Sequence, residues 1–290
     1  DRISRKLSAE IELSLVRLGL LARVFGRVKS SASLEEKFDR APLPYSADGK
    51  RLQDLFGVRI ALYFADDLEI AQTILKQNYE FDSESISPSS NDSFGPNRCN
   101  LVFKLPSDFA AQCIAIKGDR RIDDTFEVQF RTVLSEGWHE VEHDLRYKRK
   151  GDWGNHKDLD RSLNGVMATL ETCDWTMMQI FSELSWRSFK ERNVSAMLNS
   201  KFRLRLSGQP ITGTSTHRFL LDNEPVLRAL FRVDRSALLN RLLRVRGELP
   251  LNELNIVLFA NRVFQLSSDL HQFEPPPLQQ LFEREFADSQ

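Results

Sequence analysis

The stretch FEVQFRTVLSEGWHEVEHDLRYK, Phe126–Lys148, decides how the fold is organised. Its first residues alternate between polar and apolar, which places two sets on opposite faces of a strand: Glu127, Gln129 and Arg131 on one, Val128 and Phe130 on the other. We therefore predict a half-buried strand at Thr125–Phe130, whose polar face is either solvated or turned towards a ligand. From Val133 onwards the alternation gives way to helical spacing, so we expect a helix directly after the strand.

Segments typical of strands and helices also alternate before this stretch. Apolar runs predict strands at Val58–Phe64, Asn100–Leu105 and Gln112–Ile116, and helical periodicity predicts helices at 8–25, 34–40 and 66–78. Polar residues, Gly and Pro dominate 83–96, which predicts a surface loop. After the decisive stretch the pattern stays helical to about Phe202. This order indicates an α+β domain with a mixed sheet flanked by helices.

The domain organisation follows from the segment SGQPITGTST at 207–216, which has no apolar periodicity. We predict a first domain over 1–206, a linker over 207–217 and a small helical C-terminal domain over 218–290. The C-terminal residues resemble no family. Their pattern suits either a packing or oligomerisation unit, which would make the protein a homo-oligomer, or a sensor or neutralising domain.

Composition narrows the class of protein. The 290 residues are 41% hydrophobic and 28% charged, which is typical of a globular chain with a core. The net charge of −1 argues against a general attraction to nucleic acid or to anionic membranes. No apolar run approaches the ~20 residues that cross a bilayer, and no apolar signal core opens the chain. Three cysteines without CxxC spacing fit reduced thiols, so we expect a cytoplasmic protein without membrane partners.

Two clusters suggest phosphate chemistry. Arg27, Lys29 and Lys37 surround the predicted start of a helix capped by Ser33, and a helix N-terminus with cations beside it suits a polyphosphate. Asp54 precedes a predicted buried strand, where its carboxylate could hold a divalent metal. Taken alone, the cations also fit a solvated face and Asp54 also fits a turn.

A third cluster, HEVEH at His139–His143, satisfies the H-E-x-x-H spacing of zinc proteases. The zinc interpretation rests on two histidines only, and no third ligand stands at the usual distance. We expect these residues to support a neighbouring site instead of binding zinc.

Three blocks together resemble the synthetase motifs of the RelA/SpoT family of alarmone synthetases. They are RVKSSASLEEK (27–37), DLFGVRI (54–60) and the decisive stretch itself, and the similarity spans about 8–150. The resemblance implies a nucleotidyltransferase-like fold and transfer of the β,γ-pyrophosphate of ATP to a ribose hydroxyl, with Mg²⁺ as cofactor. It assigns ATP binding to five residues: Arg27, Lys29, Ser33, Lys37 and Arg59. Asp54 and Glu127 correspond to the catalytic, Mg²⁺-binding carboxylates. Gln129, Arg131 and His143 correspond to residues that bind the acceptor.

The acceptor side departs from the family. Relatives carry Gly-Tyr-x-Ser-x-His where this chain has Gly95-Pro-Asn-Arg-Cys-Asn100, so the tyrosine that stacks on guanine is lost and Arg98 and Asn100 take acceptor positions. Three alternatives stay open at this point. The acceptor is GTP or GDP, held by another stacking group; it is an adenosine nucleotide or the 3′ end of tRNA, as in toxic members of the family; or the domain binds nucleotide without turnover.

Overall fold

The computed structural model describes residues 1–39, 45–86 and 99–286. The chain divides into two compact units, one made of Asp1–Leu13 and Ala22–Trp175 and the other of Ser14–Leu21 and Thr176–Gln290. This division falls within a long helix, some thirty residues before the linker that we predict from composition at 207–217.

The first unit is built on a mixed sheet, as the sequence predicts, and this sheet has five strands. The strands are β1 (Ala22–Val28), β2 (Phe56–Leu62), β3 (Phe81–Ile86), β4 (Cys99–Lys104) and β5 (Thr125–Thr132), in the order β1-β2-β5-β4-β3. Only β2 and β5 run parallel, and the other neighbours are antiparallel. Strand β5 therefore lies in the middle of the sheet, between β2 and β4.

The polarity of β5 follows the predicted alternation. Phe126, Val128 and Phe130 are buried with at most 4% exposure, whereas Glu127, Gln129 and Arg131 on the other face are half-buried. Phe126 stacks on Phe103 of β4, with ring centroids 5.6 Å apart. The apolar side of the sheet thus forms the core, and the polar side is left to line a cleft.

Helices flank this sheet. They are α1 (Arg2–Val16), α2 (Ser31–Asp39), α3 (Leu68–Asn78), α4 (Ser107–Gln112), α5 (Ile114–Gly118), α6 (Val133–Val141), α7 (Lys150–Trp153) and α8 (Lys157–Lys190), with a π-helical segment at Glu142–Tyr147. Thr132 caps α6 by accepting from Ser135 N, and Ser135 Oγ accepts from Thr132 N in return. This capping box makes the change from strand to helix abrupt, as the decisive stretch indicates.

Three predicted elements are wrong, and one of them is the start of the loop expected over 83–96, because residues 83–86 belong to β3 and pair with β4. The helix expected over 8–25 ends at Val16, and residues 22–28 form β1, whose backbone pairs with β2 along its whole length. Gly19 lies between them at φ +80°, a conformation that ends a helix and favours glycine.

The strand expected at Gln112–Ile116 is also wrong, because these residues belong to α4 and α5 and the junction between them. Strand β4 already has β3 and β5 as neighbours, and β5 has β2 and β4. Neither inner strand therefore has a free edge that residues 112–116 could join.

The second unit is helical, as predicted. Its further helices are α9 (Val194–Phe202), α10 (Ser215–Asp222), α11 (Glu224–Arg232), α12 (Arg235–Leu242), α13 (Glu253–Phe264) and α14 (Pro276–Phe286). The core of this unit is α13, where Ile256–Ala260 are fully buried. The predicted linker packs onto this unit: Ile211 is 1% exposed, and its backbone N donates to Glu253 Oε2 over 2.9 Å. None of the described helices has the length and apolarity that crossing a membrane requires.

Candidate functional site

The polar face of the sheet opens into a cleft of about 260 Å³. Each inner strand contributes alternate side chains to it, because adjacent strands in register present the same face. The lining residues are Arg27, Asp54, Arg59, Asn100, Glu127, Gln129, Arg131, His139, Glu142, His143 and Tyr147. The structure therefore gathers residues that lie more than a hundred positions apart in the sequence.

Asp54 lies at one end of the cleft, clamped between two lysines. Lys29 Nζ is 2.7 Å from Asp54 Oδ2, and Lys37 Nζ is 2.9 Å from Oδ1 and 2.8 Å from Oδ2. Burial by itself would raise the pKa of Asp54, but the hydrogen bonds from Lys29 and Lys37 outweigh it and hold the pKa below its ordinary value. The carboxylate is thus kept ionised, and the cluster carries a net positive charge.

The two lysines differ in their surroundings. Burial lowers the pKa of Lys29, whose side chain is 15% exposed, despite its bond to Asp54. Burial opposes the charge of Lys37 too, but Asp54 and then Tyr45 raise the pKa of Lys37 above its ordinary value. The ammonium group of Lys37 also lies 5.8 Å from the centroid of the Tyr45 ring.

Glu127 lies on β5, opposite Gly57 of β2. Asn100 Nδ2 donates to its Oε1 and Gln129 Nε2 donates to its Oε2, both over 2.9 Å. No ion pair joins Glu127 to a cation within the described part of the chain. Two amides thus fix the orientation of this carboxylate without neutralising it, in contrast to Asp54.

Arg59 points from β2 towards α6, where Glu136 and Glu140 both bind its Nη1, the former over 2.7 Å. Burial disfavours its charge, but the two glutamates together raise its pKa. Nearby Arg131 donates from Nη1 to Phe130 O over 2.8 Å, and burial, followed by repulsion from Arg59, lowers its pKa. The cleft therefore holds two guanidinium groups close enough to interact.

Arg27 and Ser33 occupy different positions relative to the cleft. Arg27 is exposed on β1 and lines the cleft, and it takes part in no ion pair with the described residues.

Ser33 does not cap a helix as expected. Helix α2 begins at Ser31, and Ser30 Oγ accepts from Ser33 N over 3.3 Å. Ser33 Oγ accepts from Ser30 Oγ over 2.9 Å, on the exposed side of that turn.

Aromatic side chains border the other end of the cleft. The rings of His143 and Tyr147 stack with centroids 6.0 Å apart and planes 10° apart, and Tyr147 is 40% exposed. His143 Nδ1 lies 2.9 Å from Asp144 Oδ1, and His139 is buried beside Trp138. The two histidines of HEVEH therefore have separate surroundings, and no group of three His, Cys, Asp or Glu in the described ranges is arranged to hold a metal ion.

Several predicted or relevant positions lie elsewhere. Arg98, with the residues from Gly95 before it, lies outside the described residues, whereas Asn100 lies within them. Glu136, Glu140 and Tyr147 were not predicted as site residues. The sequence does carry a signal for the two glutamates, since their i, i+4 spacing puts both on one face of the helix after β5.

Residues 26–152 match the family model RelA_SpoT, described as the region found in RelA / SpoT proteins. The match covers the three blocks whose motifs resemble this family.

One curated relative, GTP pyrophosphokinase YjbM of Bacillus subtilis (strain 168), is 30% identical over 132 residues, which cover 44% of this chain and 58% of the relative. The match thus spans less than two thirds of that relative's length. Among solved structures, small alarmone synthetase 1 from Bacillus subtilis is 23% identical, with a TM-score of 0.47 over 62% of this chain and 93% of that one. The same synthetase bound to its product pppGpp is 23% identical, with a TM-score of 0.47 over 63% and 94%.

Proposed function

We propose that the cleft binds ATP and transfers its β,γ-pyrophosphate to a ribose 3′-hydroxyl of an acceptor nucleotide. The observation that carries this proposal is the convergence of two differently held carboxylates, Asp54 and Glu127, with five cations in the segment that matches the RelA_SpoT family model. Arg27, Arg59 and Arg131 line the cleft, and Lys29 and Lys37 bind Asp54. Phosphoryl-type transfer requires alignment and charge neutralisation more than a covalent nucleophile. The cleft supplies both.

ATP occupies the end formed by β1, α2 and Asp54 in this proposal. Lys29 and Lys37 both donate hydrogen bonds to Asp54 Oδ2, so their ammonium groups already lie side by side. A triphosphate therefore meets a preformed pair of cations. Arg27 and Arg59 lie on adjacent strands, Arg27 opposite Gly57. A Cβ at position 57 would lie 3.4 Å from Arg27 Cγ, so Arg27 packs directly over the backbone of Gly57. The two guanidinium groups suit stacking on adenine, with Ser33 at the edge of this region.

The same residues fit Mg²⁺ as cofactor. Mg²⁺ prefers oxygen ligands and uses one or two carboxylates together with substrate phosphates and water, which the pair of carboxylates in this cleft can supply. Asp54 and Glu127 would hold the ion, which when bound neutralises charge on the phosphate oxygens. Asp54 exchanges its lysine bonds for this role, because the triphosphate offers the lysines other anionic partners.

The acceptor enters beside Glu127. Its 3′-hydroxyl oxygen attacks the β-phosphorus, the bond from that phosphorus to the α-phosphate oxygen breaks, and AMP leaves with the electron pair. Glu127 accepts the hydroxyl proton, a role for which its carboxylate is positioned by Asn100 and Gln129. Arg131 lies on the same strand face and faces the acceptor phosphates, and Arg98 is assigned the same role from sequence alone.

The aromatic border of the cleft supports a nucleotide acceptor despite the missing tyrosine of the family motif. The Tyr147 side chain is 40% exposed, with His143 stacked on its ring and Lys150 Nζ 4.5 Å from the ring centroid. A base that stacks on Tyr147 would displace the ammonium group of Lys150. We infer GTP or GDP as the main acceptors. The alternative acceptors, an adenosine nucleotide or the 3′ end of tRNA, are distinguished by experiment.

The test uses ATP labelled at the γ-phosphate, offered with GTP, GDP, ATP or bulk tRNA. We expect label in a guanosine nucleotide, lost in Glu127→Gln and retained in Glu84→Gln, a matched variant of an exposed glutamate on β3. Tyr147→Ala should raise the KM of the acceptor, and Tyr147→Phe should restore it. Label in tRNA or adenosine nucleotide corrects the acceptor. Binding of ATP without any transfer overturns the enzymatic proposal.

A further inference from the structure

The helical second unit contains a pocket of its own, which shares no residue with the cleft. Its volume is about 510 Å³, within the range of pockets that hold small molecules. Helices α12, α13 and α14 and a 3-10 helix at Ser268–Phe273 contribute to its walls. Six of its lining residues are polar: Arg241, Arg262, Gln265, Ser267, Ser268 and His271.

Two of these residues are arginines without a counter-charge. Within the described ranges, neither Arg241 on α12 nor Arg262 on α13 forms an ion pair or a side-chain hydrogen bond, and no acidic side chain lines the pocket. Other arginines of this unit do have acidic partners: Arg228 binds Glu224 over 2.5 Å, and Arg284 binds Glu248 over 2.6 Å. Two guanidinium groups around one pocket repel each other, and an anion bound to both would remove this repulsion.

Neutral hydrogen-bond donors accompany the two arginines. Ser267 Oγ accepts from Asp269 N over 3.2 Å, so the proton of its hydroxyl group is left for a ligand. Ser268 and Gln265 are exposed, and their side chains have no hydrogen bond to any described residue. The amide of Gln265 alone can donate two hydrogen bonds. The pocket can therefore bind an anion that has several oxygen atoms.

His271 is oriented by a residue that does not line the pocket. Its Nδ1 lies 2.8 Å from Oε1 of Glu274, whose side chain is 3% exposed. Because a carboxylate only accepts hydrogen bonds, we assign the proton to Nδ1, which leaves Nε2 for a ligand. The orientation of the imidazole ring is thus fixed before a ligand enters.

We propose that this pocket binds a small molecule that carries a phosphate group. A phosphate monoester has up to two negative charges and three terminal oxygen atoms, which two forked guanidinium groups can match. A carboxylate has one charge and two oxygen atoms, and a single arginine satisfies it. The pocket is larger than a phosphate group, and Val263 and Phe286 give it an apolar wall for the organic part of the ligand.

Labelling of the full chain with the arginine reagent phenylglyoxal tests the proposal, because mass spectrometry reports each arginine separately. The probes are inorganic phosphate and ribose 5-phosphate, and ribose is the uncharged comparison. At a probe concentration about ten times its Kd, about one site in ten is empty, so labelling of Arg241 and Arg262 should slow about tenfold. Ribose should have no effect. Arginines of the cleft are read separately in the same experiment.

Matched controls come from the same unit. Arg218 and Arg244 are exposed and do not line the pocket, so their labelling should be equally fast with and without the probes. In Arg262→Gln, half-protection of Arg241 should need about ten to a hundred times more probe, since one charged donor group is lost. Arg262→Lys keeps the charge without the fork and should lie between. Arg244→Gln should leave the half-protecting concentration unchanged.

Three results would overturn the proposal. The first is equal labelling of Arg241 and Arg262 with and without both phosphate probes. The second is an equal slowing at Arg218 and Arg244, which would mean that the anions screen every exposed arginine. The third is protection by malonate but by neither phosphate probe, which would assign the pocket to a carboxylate. Circular dichroism of each variant checks its fold, which we expect to persist because neither arginine has a partner among the described residues.

Discussion

Replacing Asp54 by Asn removes a single negative charge from between two lysines while keeping the shape of the side chain. In the wild type, Asp54 accepts hydrogen bonds of 2.7 Å from Lys29 and of 2.8 and 2.9 Å from Lys37. In Asp54→Asn, two ammonium groups face a neutral amide, and they repel each other without compensation. The variant should therefore be less stable, independently of any loss of activity.

The degree of burial sets the size of this effect. Exposed ion pairs contribute about 0–1 kcal/mol, whereas removing one partner of a buried pair costs about 3–5 kcal/mol. The side chains here are 23% exposed for Asp54, 15% for Lys29 and 32% for Lys37, between these two limits. We expect a loss of about 2 kcal/mol in the free energy of unfolding, or about 4–8 °C in Tm for a unit of this size.

The dependence on pH gives the sharper test. The lysines hold the pKa of Asp54 below its ordinary value of 3.8, despite the opposing effect of burial. A carboxyl whose folded-state pKa is lowered contributes stability above its unfolded pKa, and loses it as the pH falls through the folded value. The Tm difference between wild type and Asp54→Asn should thus be constant from about pH 7 to pH 5 and shrink only in the acid range below 3.8.

Differential scanning calorimetry at a series of pH values measures both quantities. Glu84→Gln serves as the control, because Glu84 pairs with Lys76 at 3.8 Å on the exposed surface of the same unit, and its Tm should change little. Equal Tm values for wild type and Asp54→Asn at pH 7 would show that the ion pairs of Asp54 with Lys29 and Lys37 do not stabilise the protein. A difference that stays unchanged as the pH falls below 3.8 would show that the pKa of Asp54 is not lowered.

Three further predictions concern the cleft. Glu127→Gln should bind a non-hydrolysable ATP analogue with unchanged affinity in calorimetry. Its transfer rate should fall, with a loss of several kcal/mol of transition-state stabilisation. A wild-type transfer rate in this variant would exclude Glu127 as the base. Arg27→Ala and Arg59→Ala should raise the KM of ATP in steady-state assays more than they lower kcat, because stacking stabilises the ground state and the transition state alike; a pure loss of kcat contradicts that role. Elemental analysis of protein purified without added metal should find no stoichiometric zinc at His139 and His143, and one zinc per chain would restore the metalloprotease-like interpretation of HEVEH.

Much of the sheet could be predicted because its strands carry their own signal. The alternation in β5 depends only on which face meets the core, and the burial of Val128 and Phe130 confirms it. Strand β1 could not be predicted in this way. Its residues 22–25 also fit the helical spacing of the preceding segment, and only pairing with β2 decides between the two.

The candidate site was predictable to a similar extent. The motifs point to Asp54, Glu127 and the cations, and the structure brings them to one cleft. Their partners could not be predicted, because the bonds from Lys37 to Asp54 and from Asn100 to Glu127 join residues 17 and 27 positions apart. Which of several nearby amides or ammonium groups meets a carboxylate depends on strand register and helix placement, and neither is encoded in a local pattern.

The ion pairs of Arg59 bear on how this residue takes part in the proposed ATP site. Glu136 and Glu140 bind one edge of its guanidinium group through Nη1, and such bonds lie in the plane of the group. Stacking on a base uses the face of the same plane, so the ion pairs and an adenine ring do not compete for the same atoms. The two glutamates already fix the orientation of the guanidinium group before ATP binds. Arg59 therefore loses less side-chain entropy on stacking than a free arginine would. The glutamates are therefore better understood as positioning residues for Arg59 than as a lock that ATP must open.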